Sequence, residues 1–231
     1  RLRKNKGAML GLFVICLAAA VAIFAYFIAP DPTPYANRII LEIGGEKPGY
    51  KQRFLKVKNT RSAEVASFLT RLISGTNDQY NYLPIISNEI KGDSIVVQKY
   101  IDEGLSEKQA YNTSQLADKP IVFKKFLLGT DKYGRDILSR LIIGTRVSLS
   151  VGLITVIISL SIGLILGSLA GYFRGKTDDI IMWFINVIWS IPTLLLVFAI
   201  TLALGKGFWQ VFIAVGLTMW VNVARLVRGQ V

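Results

Sequence analysis

The sequence predicts an all-α polytopic membrane protein, with four spans visible and a small α+β domain inserted outside the membrane. Three observations predict this fold class. Hydrophobic residues make up 52% of the 231 residues, and they collect into four long runs without a charged side chain, which is typical of membrane spans. If the runs cross a membrane in turn, the basic residues cluster at the run ends that lie on one side of that membrane. A single long polar stretch separates the first run from the other three.

The composition narrows the possible functions. Lysine and arginine total 27 against 15 acidic residues, a net charge of +12. Such a charge fits nucleic-acid or anionic-lipid binding, but beside uncharged runs it favours loop charge that fixes membrane orientation. One cysteine, Cys16, excludes an intramolecular disulfide and a cysteine metal cluster, and the absence of histidine excludes histidine triads and histidine zinc sites. We therefore expect no catalytic, cofactor or metal site.

Residues 1–30 are interpreted as a cytoplasmic tail and a first transmembrane helix. The uncharged run Gly7–Pro30 has 24 residues, enough to cross about 30 Å of hydrocarbon. A cleaved signal peptide is the alternative, but the run exceeds the usual apolar region of about 7–15 residues. The chain opens on Arg1 rather than Met and stops in mid-pattern at Val231, so we expect both ends to be cut and the permease core to be incomplete at its C-terminus.

Residues 31–125 are predicted to form an extracytoplasmic α+β insert. The segments RIILEI and SIVVQKY have strand composition, and Gly44-Gly45 and Gly92-Asp93 are turn signals. A helix with one apolar face is predicted from Ser62 to Gly75, with the face formed by Val65, Phe68, Leu69, Leu72 and Ile73. SEKQ at Ser106–Gln109 fits a capping box, which predicts a second helix there.

Residues 126–146 are predicted to contain an amphipathic helix at the outer membrane surface. Ile137, Leu138, Leu141 and Ile142 form an apolar stripe, while Asp136, Ser139 and Arg140 face away from it. The glycines and aspartates just before the helix are expected to form its turn and cap.

Residues 147–231 are predicted to be the transmembrane core, with spans at 147–173, 180–205 and 207–224. The first of these carries small residues at four-residue intervals, and we expect that face to pack closely against another helix, whose identity the spacing does not give. The small residues are Ser159, Gly163, Gly167 and Gly171. Pro192 falls in the middle of the second and predicts a kink, with Ser190 or Thr193 placed to compensate. Trp209 and Trp220 lie near the ends of the third.

The basic residues predict the orientation. Eight of them flank the run ends on one side, and only Lys206 lies in the other short loop. The eight are expected in the cytoplasm, which places the N-terminus there and residues 31–125 outside. No Asp, Glu, Lys or Arg lies inside any run, which disfavours proton-coupled transport by these helices.

The stretch before the second run reads FLLGTDKYGRDILSRLIIGTRVSLSVGL, and the chain continues through GLILGSLAGYFRGKTDDIIMWFINVIWSIPTLLL to ARLVRGQV. Over Phe126–Val231 this sequence closely resembles the permeases of the dipeptide, oligopeptide and nickel importers, of the second-permease type. The block that opens the resemblance contains Gly129, Thr130, Asp131, Gly134, Arg135 and Asp136.

The resemblance implies a six-span subunit of an ATP-binding-cassette importer in the cytoplasmic (inner) membrane, which translocates peptides or a related small solute. It implies four kinds of partner: a second homologous permease subunit, two cytoplasmic ATPase subunits that hydrolyse ATP, an extracytoplasmic substrate-binding protein, and membrane lipid. Nucleic acid is not among them. Asn186 and Pro192 are candidate residues of the translocation path. In the family the loop that docks onto the ATPase follows ARLVRGQ, and here it would lie beyond Val231.

Two alternatives compete with a transport subunit. A membrane-anchored sensor would bind a ligand with its outer domain, and an intramembrane enzyme would need catalytic polar residues within the spans, where acids and histidines are missing. AGYFRGKT ends like a phosphate-binding loop, but Ala170 stands where that motif requires glycine and the stretch follows a membrane helix. Nucleotide binding by this loop is therefore excluded.

Overall fold

The computed structural model describes residues 5–59, 67–102, 104–205 and 207–231, and the chain divides into two compact units, Arg1–Val147 and Ser148–Val231. The helices in chain order are α1 (Lys6–Ile23), α2 (Ala25–Ile28), α3 (Phe68–Ser74), α4 (Ile137–Phe173), α5 (Gly175–Ser190), α6 (Thr193–Leu204) and α7 (Phe208–Arg228). The strands are β1 (Tyr50–Lys58), β2 (Tyr80–Lys91), β3 (Ser94–Asp102), β4 (Leu105–Asn112) and β5 (Leu116–Phe126).

Within the described ranges, three helices are long and apolar enough to cross a membrane: α1, α4 and α7. The chain bends by 97° between α5 and α6, and a pair bent in this way is either one broken span or a re-entrant loop. The predicted helical character of the chain is thus confirmed, with three candidate spans and a bent pair. The first apolar run is also divided, because α1 ends at Ile23 and the short helix α2 continues it.

The polar stretch after the first run folds as a five-stranded antiparallel sheet with the strand order β4-β3-β2-β1-β5. The predicted strand SIVVQKY lies in β3, and the predicted turn Gly92-Asp93 joins it to β2, because Lys91 pairs with Ser94. Such two-residue hairpin turns favour glycine, whose φ here is +57° at Gly92.

Both faces of this sheet are covered by apolar side chains. Because side chains alternate along a strand, adjacent residues of β1 reach opposite faces: Phe54 packs with Ile40, Ile43 and Phe126, and Leu55 packs with a second group of buried side chains. That group consists of Ile85, Ile95, Val97 and Leu116. The segment that contains Ile40 and Ile43 therefore covers one face of the sheet.

Two local predictions in the insert are wrong. RIILEI is not a strand: it ends in a 3₁₀ turn, Leu41–Ile43, because Ile40 and Ile43 are both buried on the same side, three residues apart. SEKQ does not begin a helix, since Ser106–Gln109 lies in β4 and pairs with Tyr100–Val97 of β3. Strand pairing overrides the local capping pattern there.

The predicted helix between β1 and β2 is present as α3 and ends at Gly75, as expected, with a φ of +80°. Its predicted start at Ser62, and Val65 of its apolar face, lie outside the described residues. The helix predicted within 126–146 begins at Ile137, after β5 ends at Phe126, and continues without interruption into the predicted span as α4. Ser139, expected on the polar face, is fully buried.

Candidate functional site

The block Gly129–Asp136 forms a tight turn held by the carboxylate of Asp131. That carboxylate accepts hydrogen bonds from the backbone amides of Tyr133 (2.9 Å) and Arg135 (3.0 Å) and from Nε of Arg135 (2.8 Å). Partial burial alone would raise the pKa of Asp131, but these hydrogen bonds favour the charged form more strongly and lower it. The ionised carboxylate is therefore the group that organises the turn.

The same turn docks onto the segment Ile40–Glu46. The Thr130 hydroxyl donates to the carbonyl of Ile43 and accepts from the amide of Glu46 at 3.0 Å. Gly134 lies so close to this segment that a Cβ on it would be 1.7 Å from the carbonyl oxygen of Ile40, at a φ of +71°. Only glycine fits there, which explains why glycine stands at this position of the block.

The last residue of the block, Asp136, begins α4. Its carboxylate accepts from the amide and the hydroxyl of Ser139, which is the geometry of a helix N-cap. The Ser139 oxygen in turn accepts from the amide of Asp31 at 2.8 Å. The first turn of α4 is thereby tied to the residue that follows the first apolar segment.

Beside this junction lies a cavity of about 180 Å³, and charged side chains form much of its wall. Its lining consists of Pro30, Asp31, Arg38, Ile40, Lys124, Lys125, Phe126, Gly134 and Asp136. Arg38 is held by ion pairs to Asp31 and Asp78, and its guanidinium lies 4.3 Å from the centre of the Tyr82 ring. Lys124 lies 3.9 Å from the same ring centre.

The pKa of Lys124 is lowered to about 8. Burial is the main cause, and the positive charge of Arg38 adds to it, while the carboxylates of Asp31, Asp78 and Asp136 oppose the shift. No ion pair within 4.0 Å is formed by Lys124 among the described residues.

In the second unit, three glycines of α4 lie in close contact with α7 or with the residues that follow it. A Cβ on Gly163 would lie 2.5 Å from Cβ of Val223, and one on Gly167 would lie 2.5 Å from the carbonyl oxygen of Ala224. A Cβ on Gly171 would lie 2.8 Å from Cβ of Val231. The fourth member of the predicted face, Ser159, is buried. The helix that fills this face, left open by the sequence, is α7 of the same chain.

The break between α5 and α6 follows from the chemistry of Pro192. Proline has no amide hydrogen, so the carbonyl of Ile188 loses its helical donor, and the amide of Ile191 donates to it instead at 3.3 Å. This leaves the carbonyl of Val187, to which the Ser190 hydroxyl donates at 2.7 Å. The predicted kink and its compensation by Ser190 are both observed, and the 97° bend exceeds that of an ordinary proline kink.

The second predicted path residue, Asn186, is exposed on α5 and accepts a hydrogen bond from Arg225 of α7 at 3.2 Å. The guanidinium of Arg225 also lies 3.8 Å from the centre of the Trp189 ring. Three residues further on, Arg228 makes a two-point ion pair with Asp178 near the start of α5. These contacts join α5 to the last turns of α7.

A cavity of about 190 Å³ lies between the α5–α6 break and α7. It is lined by Ile188, Trp189, Thr193, Leu196, Thr218, Met219 and Asn222. Neither Asn186 nor Pro192 is among these residues, and sequence reasoning missed the polar ones. A signal was present: Thr218 and Asn222 are four residues apart, hence on one face of α7, within a segment, 211–224, that is otherwise apolar.

Two protein-family models match the chain, one at each end. The family described as the inner membrane component of binding-protein-dependent transport systems matches residues 163–231. The N-terminal transmembrane domain of oligopeptide transport permease C matches residues 1–42.

Curated relatives agree with these matches. The chain is 42% identical to an oligopeptide transport system permease of Bacillus subtilis over 123 residues, 52% of this chain and 40% of the relative. It is 28% identical to a dipeptide transport system permease of Lactococcus lactis over 233 residues, all of this chain and 56% of the relative. A glutathione transport system permease of Pectobacterium atrosepticum is 44% identical over 102 residues, 44% of this chain and 34% of the relative.

The chain thus spans about half the length of the curated relatives it matches. All these relatives are named for transport, so the sensor alternative is not supported. The alignment with the Lactococcus lactis permease also runs through the five-stranded insert. The two family matches and these relatives make the chain similar to the permeases of binding-protein-dependent transport systems, and in particular to oligopeptide and dipeptide permeases of the C type.

Proposed function

We propose that the chain is the membrane-embedded part of a permease subunit of an ATP-binding-cassette importer, which moves di- or oligopeptides or a related small solute across the cytoplasmic membrane. The observation that carries the proposal is the second unit, in which α4 and α7 pack through glycines beside a broken helix pair and a small polar-lined cavity. Broken helices beside a cavity are a common way to build a solute site at membrane depth.

The subunit supplies no catalysis of its own in this proposal. Two cytoplasmic ATPase subunits hydrolyse ATP, a second homologous permease completes the path, and an extracytoplasmic binding protein delivers the solute. The names of the relatives support a peptide substrate, since they specify oligopeptide, dipeptide and glutathione transport.

The proposed topology has four spans, with α5 and α6 counted as one, an N-terminus in the cytoplasm, and residues 31–125 outside. It is supported by the eight basic residues at the run ends of one side. Fusions at Asp93, in the exposed hairpin turn, test it. Alkaline phosphatase is expected to be active there and green fluorescent protein dark, and the opposite pair of results would reverse the orientation.

We assign the polar residues of the α5–α6–α7 cavity to the solute path, next to the earlier candidates Asn186 and Pro192. Thr218 and Thr201 form a matched pair, because both hydroxyls donate to a carbonyl of their own helix, 2.9 Å to Val215 and 2.7 Å to Val197. Only Thr218 lines the cavity.

The test measures uptake of a radiolabelled dipeptide in cells that lack the native gene and carry the whole gene with one substitution. Thr218→Val is expected to lower uptake by about twofold to tenfold, the effect of a hydrogen bond worth about 0.5–1.5 kcal/mol. Thr201→Val is expected to leave uptake unchanged. Equal uptake by both variants would remove Thr218 from the path. No uptake of labelled dipeptide or labelled oligopeptide with the unmodified gene would refute the peptide substrate.

A further inference from the structure

The short helix α3 carries large apolar side chains that the sheet does not bury. Phe68 is 65% exposed, Leu69 64% and Ile73 62%, and they lie at i, i+1 and i+5, on one broad face of the helix. In a soluble domain such a face would turn toward the core. Here the buried clusters of the sheet consist of other residues, and these three side chains belong to neither cluster.

The position of α3 is fixed by its C-terminal end. The carbonyl of Pro32 accepts from the amide of Thr76 at 2.9 Å, and a Cβ on Gly75 would lie 2.5 Å from that same carbonyl oxygen. The guanidinium of Arg146 donates to the carbonyl of Leu72. The end of α3 is therefore held against the residues that directly follow the first apolar segment and against the first part of α4.

The apolar face of α3 continues the apolar surface of α2. The rings of Phe68 and Phe27 lie 5.6 Å apart, and the guanidinium of Arg71 lies 4.6 Å from the centre of the Phe27 ring. Phe24 and Ile28 are exposed beside them. One continuous apolar surface thus runs from the end of the first apolar segment onto α3, with Arg71 at its edge.

We propose that the face Phe68–Leu69–Ile73 lies in the outer interfacial layer of the lipid bilayer and anchors the insert to the membrane surface. The occupant follows from this continuity: the surface of an apolar helix that crosses a membrane meets lipid, and α3 extends that surface at the point where the helix emerges. Aromatic rings and an arginine at the edge of such a face suit the lipid headgroup region. The proposal rests on the topology given above.

The test uses nitroxide labels in a background where Cys16, the only cysteine, is changed to serine, with the whole protein in lipid nanodiscs. One label replaces Leu69. Ile90, 73% exposed on β2 beside the β2–β3 turn, gives a matched position on the sheet, and Leu17, 52% exposed on α1, gives a position on the first apolar helix. Collision with oxygen, which concentrates in lipid, is compared with collision with a water-soluble nickel chelate.

The label at Leu69 is expected to show a several-fold higher ratio of oxygen to nickel collision than the label at Ile90. Its ratio should be lower than that at Leu17, because Leu17 lies near the middle of the first apolar run and oxygen concentrates toward the centre of the bilayer. A ratio equal to that at Ile90 would place the face in water, and loss of both collisions would place it against a protein; either result overturns the proposal. A water-like ratio at Leu17 would instead show that the proposed topology fails, and the anchor with it. A label at Ile73 repeats the measurement where the Leu69 variant does not fold.

Discussion

Replacing Gly167 with alanine should drive α4 and α7 apart. The new Cβ would lie 2.5 Å from the carbonyl oxygen of Ala224, whereas ordinary contact begins at 3.4 Å, so the two backbones must separate by about 0.9 Å. The obstacle is main chain, which cannot turn aside as a side chain can. Gly152, in the same helix, has no atom within 4 Å of its would-be Cβ, and Gly152→Ala is therefore the matched control.

The two variants share the gain of about 1 kcal/mol that alanine has over glycine in a helix. Their difference thus isolates the steric effect, which for an overfilled core is about 1–3 kcal/mol. We expect Gly167→Ala to be less stable than Gly152→Ala by that amount. The measurement is unfolding by sodium dodecyl sulfate in mixed micelles, followed by tryptophan fluorescence.

All four tryptophans lie in α5 and α7: Trp183, Trp189, Trp209 and Trp220. The fluorescence signal therefore reports on the helical unit and not on the sheet. Equal unfolding midpoints for the two variants would refute the argument that close approach of α4 and α7 requires glycine at this position.

Three further predictions concern other contacts. Asp178→Arg and Arg228→Asp should each lower dipeptide uptake, because each breaks the ion pair between α5 and α7. The double variant exchanges the two charges, restores the ion pair and should restore uptake. A double variant with uptake no higher than that of the single variants would contradict this. Pro192→Ala supplies the missing amide hydrogen and should straighten the 97° bend between α5 and α6. The distance between spin labels at Lys176 and Leu204, measured by pulsed electron paramagnetic resonance, should then be about 42 Å instead of about 25–30 Å. An unchanged distance would mean that packing, and not proline, sets the bend. The pKa of Lys124 is lowered to about 8 in the folded chain. Above that pH the unfolded chain still binds a proton at Lys124 that the folded chain has lost. The free energy of unfolding of the sheet should therefore rise with pH from about 8 to about 9.5. Thermal unfolding followed by the infrared strand band should show this rise in the unmodified protein and not in Lys124→Met, and the raised pKa of Tyr82 should oppose it only at higher pH.

The features that were predicted correctly from the sequence depend on the chemistry of one or two residues, or on a residue type that repeats at a short interval. The kink at Pro192 follows from the missing amide hydrogen alone, and the turn Gly92-Asp93 follows from glycine at a two-residue hairpin. The small residues of α4 repeat every four positions, so their common face could be derived without knowing what covers it.

The features that sequence missed depend on residues far apart in the chain. Ser106–Gln109 has the pattern of a helix start, but pairing with β3 decides its conformation. Ile40 and Ile43 resemble strand residues, yet the Thr130 hydroxyl bonds the carbonyl of Ile43 across 87 positions and holds the segment as a turn. The cavity beside Thr218 was missed because its other wall comes from the break at Pro192, and a helix face alone does not disclose such a wall.

The hydrogen bond between the Asp31 amide and the Ser139 hydroxyl joins two residues 108 positions apart. It joins the two ends of the insert directly, so the first turn of α4 is held at the end of the first apolar run by a contact to which the strands of the sheet contribute nothing. The entropy of closing a loop grows only slowly with its length. An insert of another length could therefore be exchanged for this one between the same two ends, and the amide of Asp31 would still meet the first turn of α4.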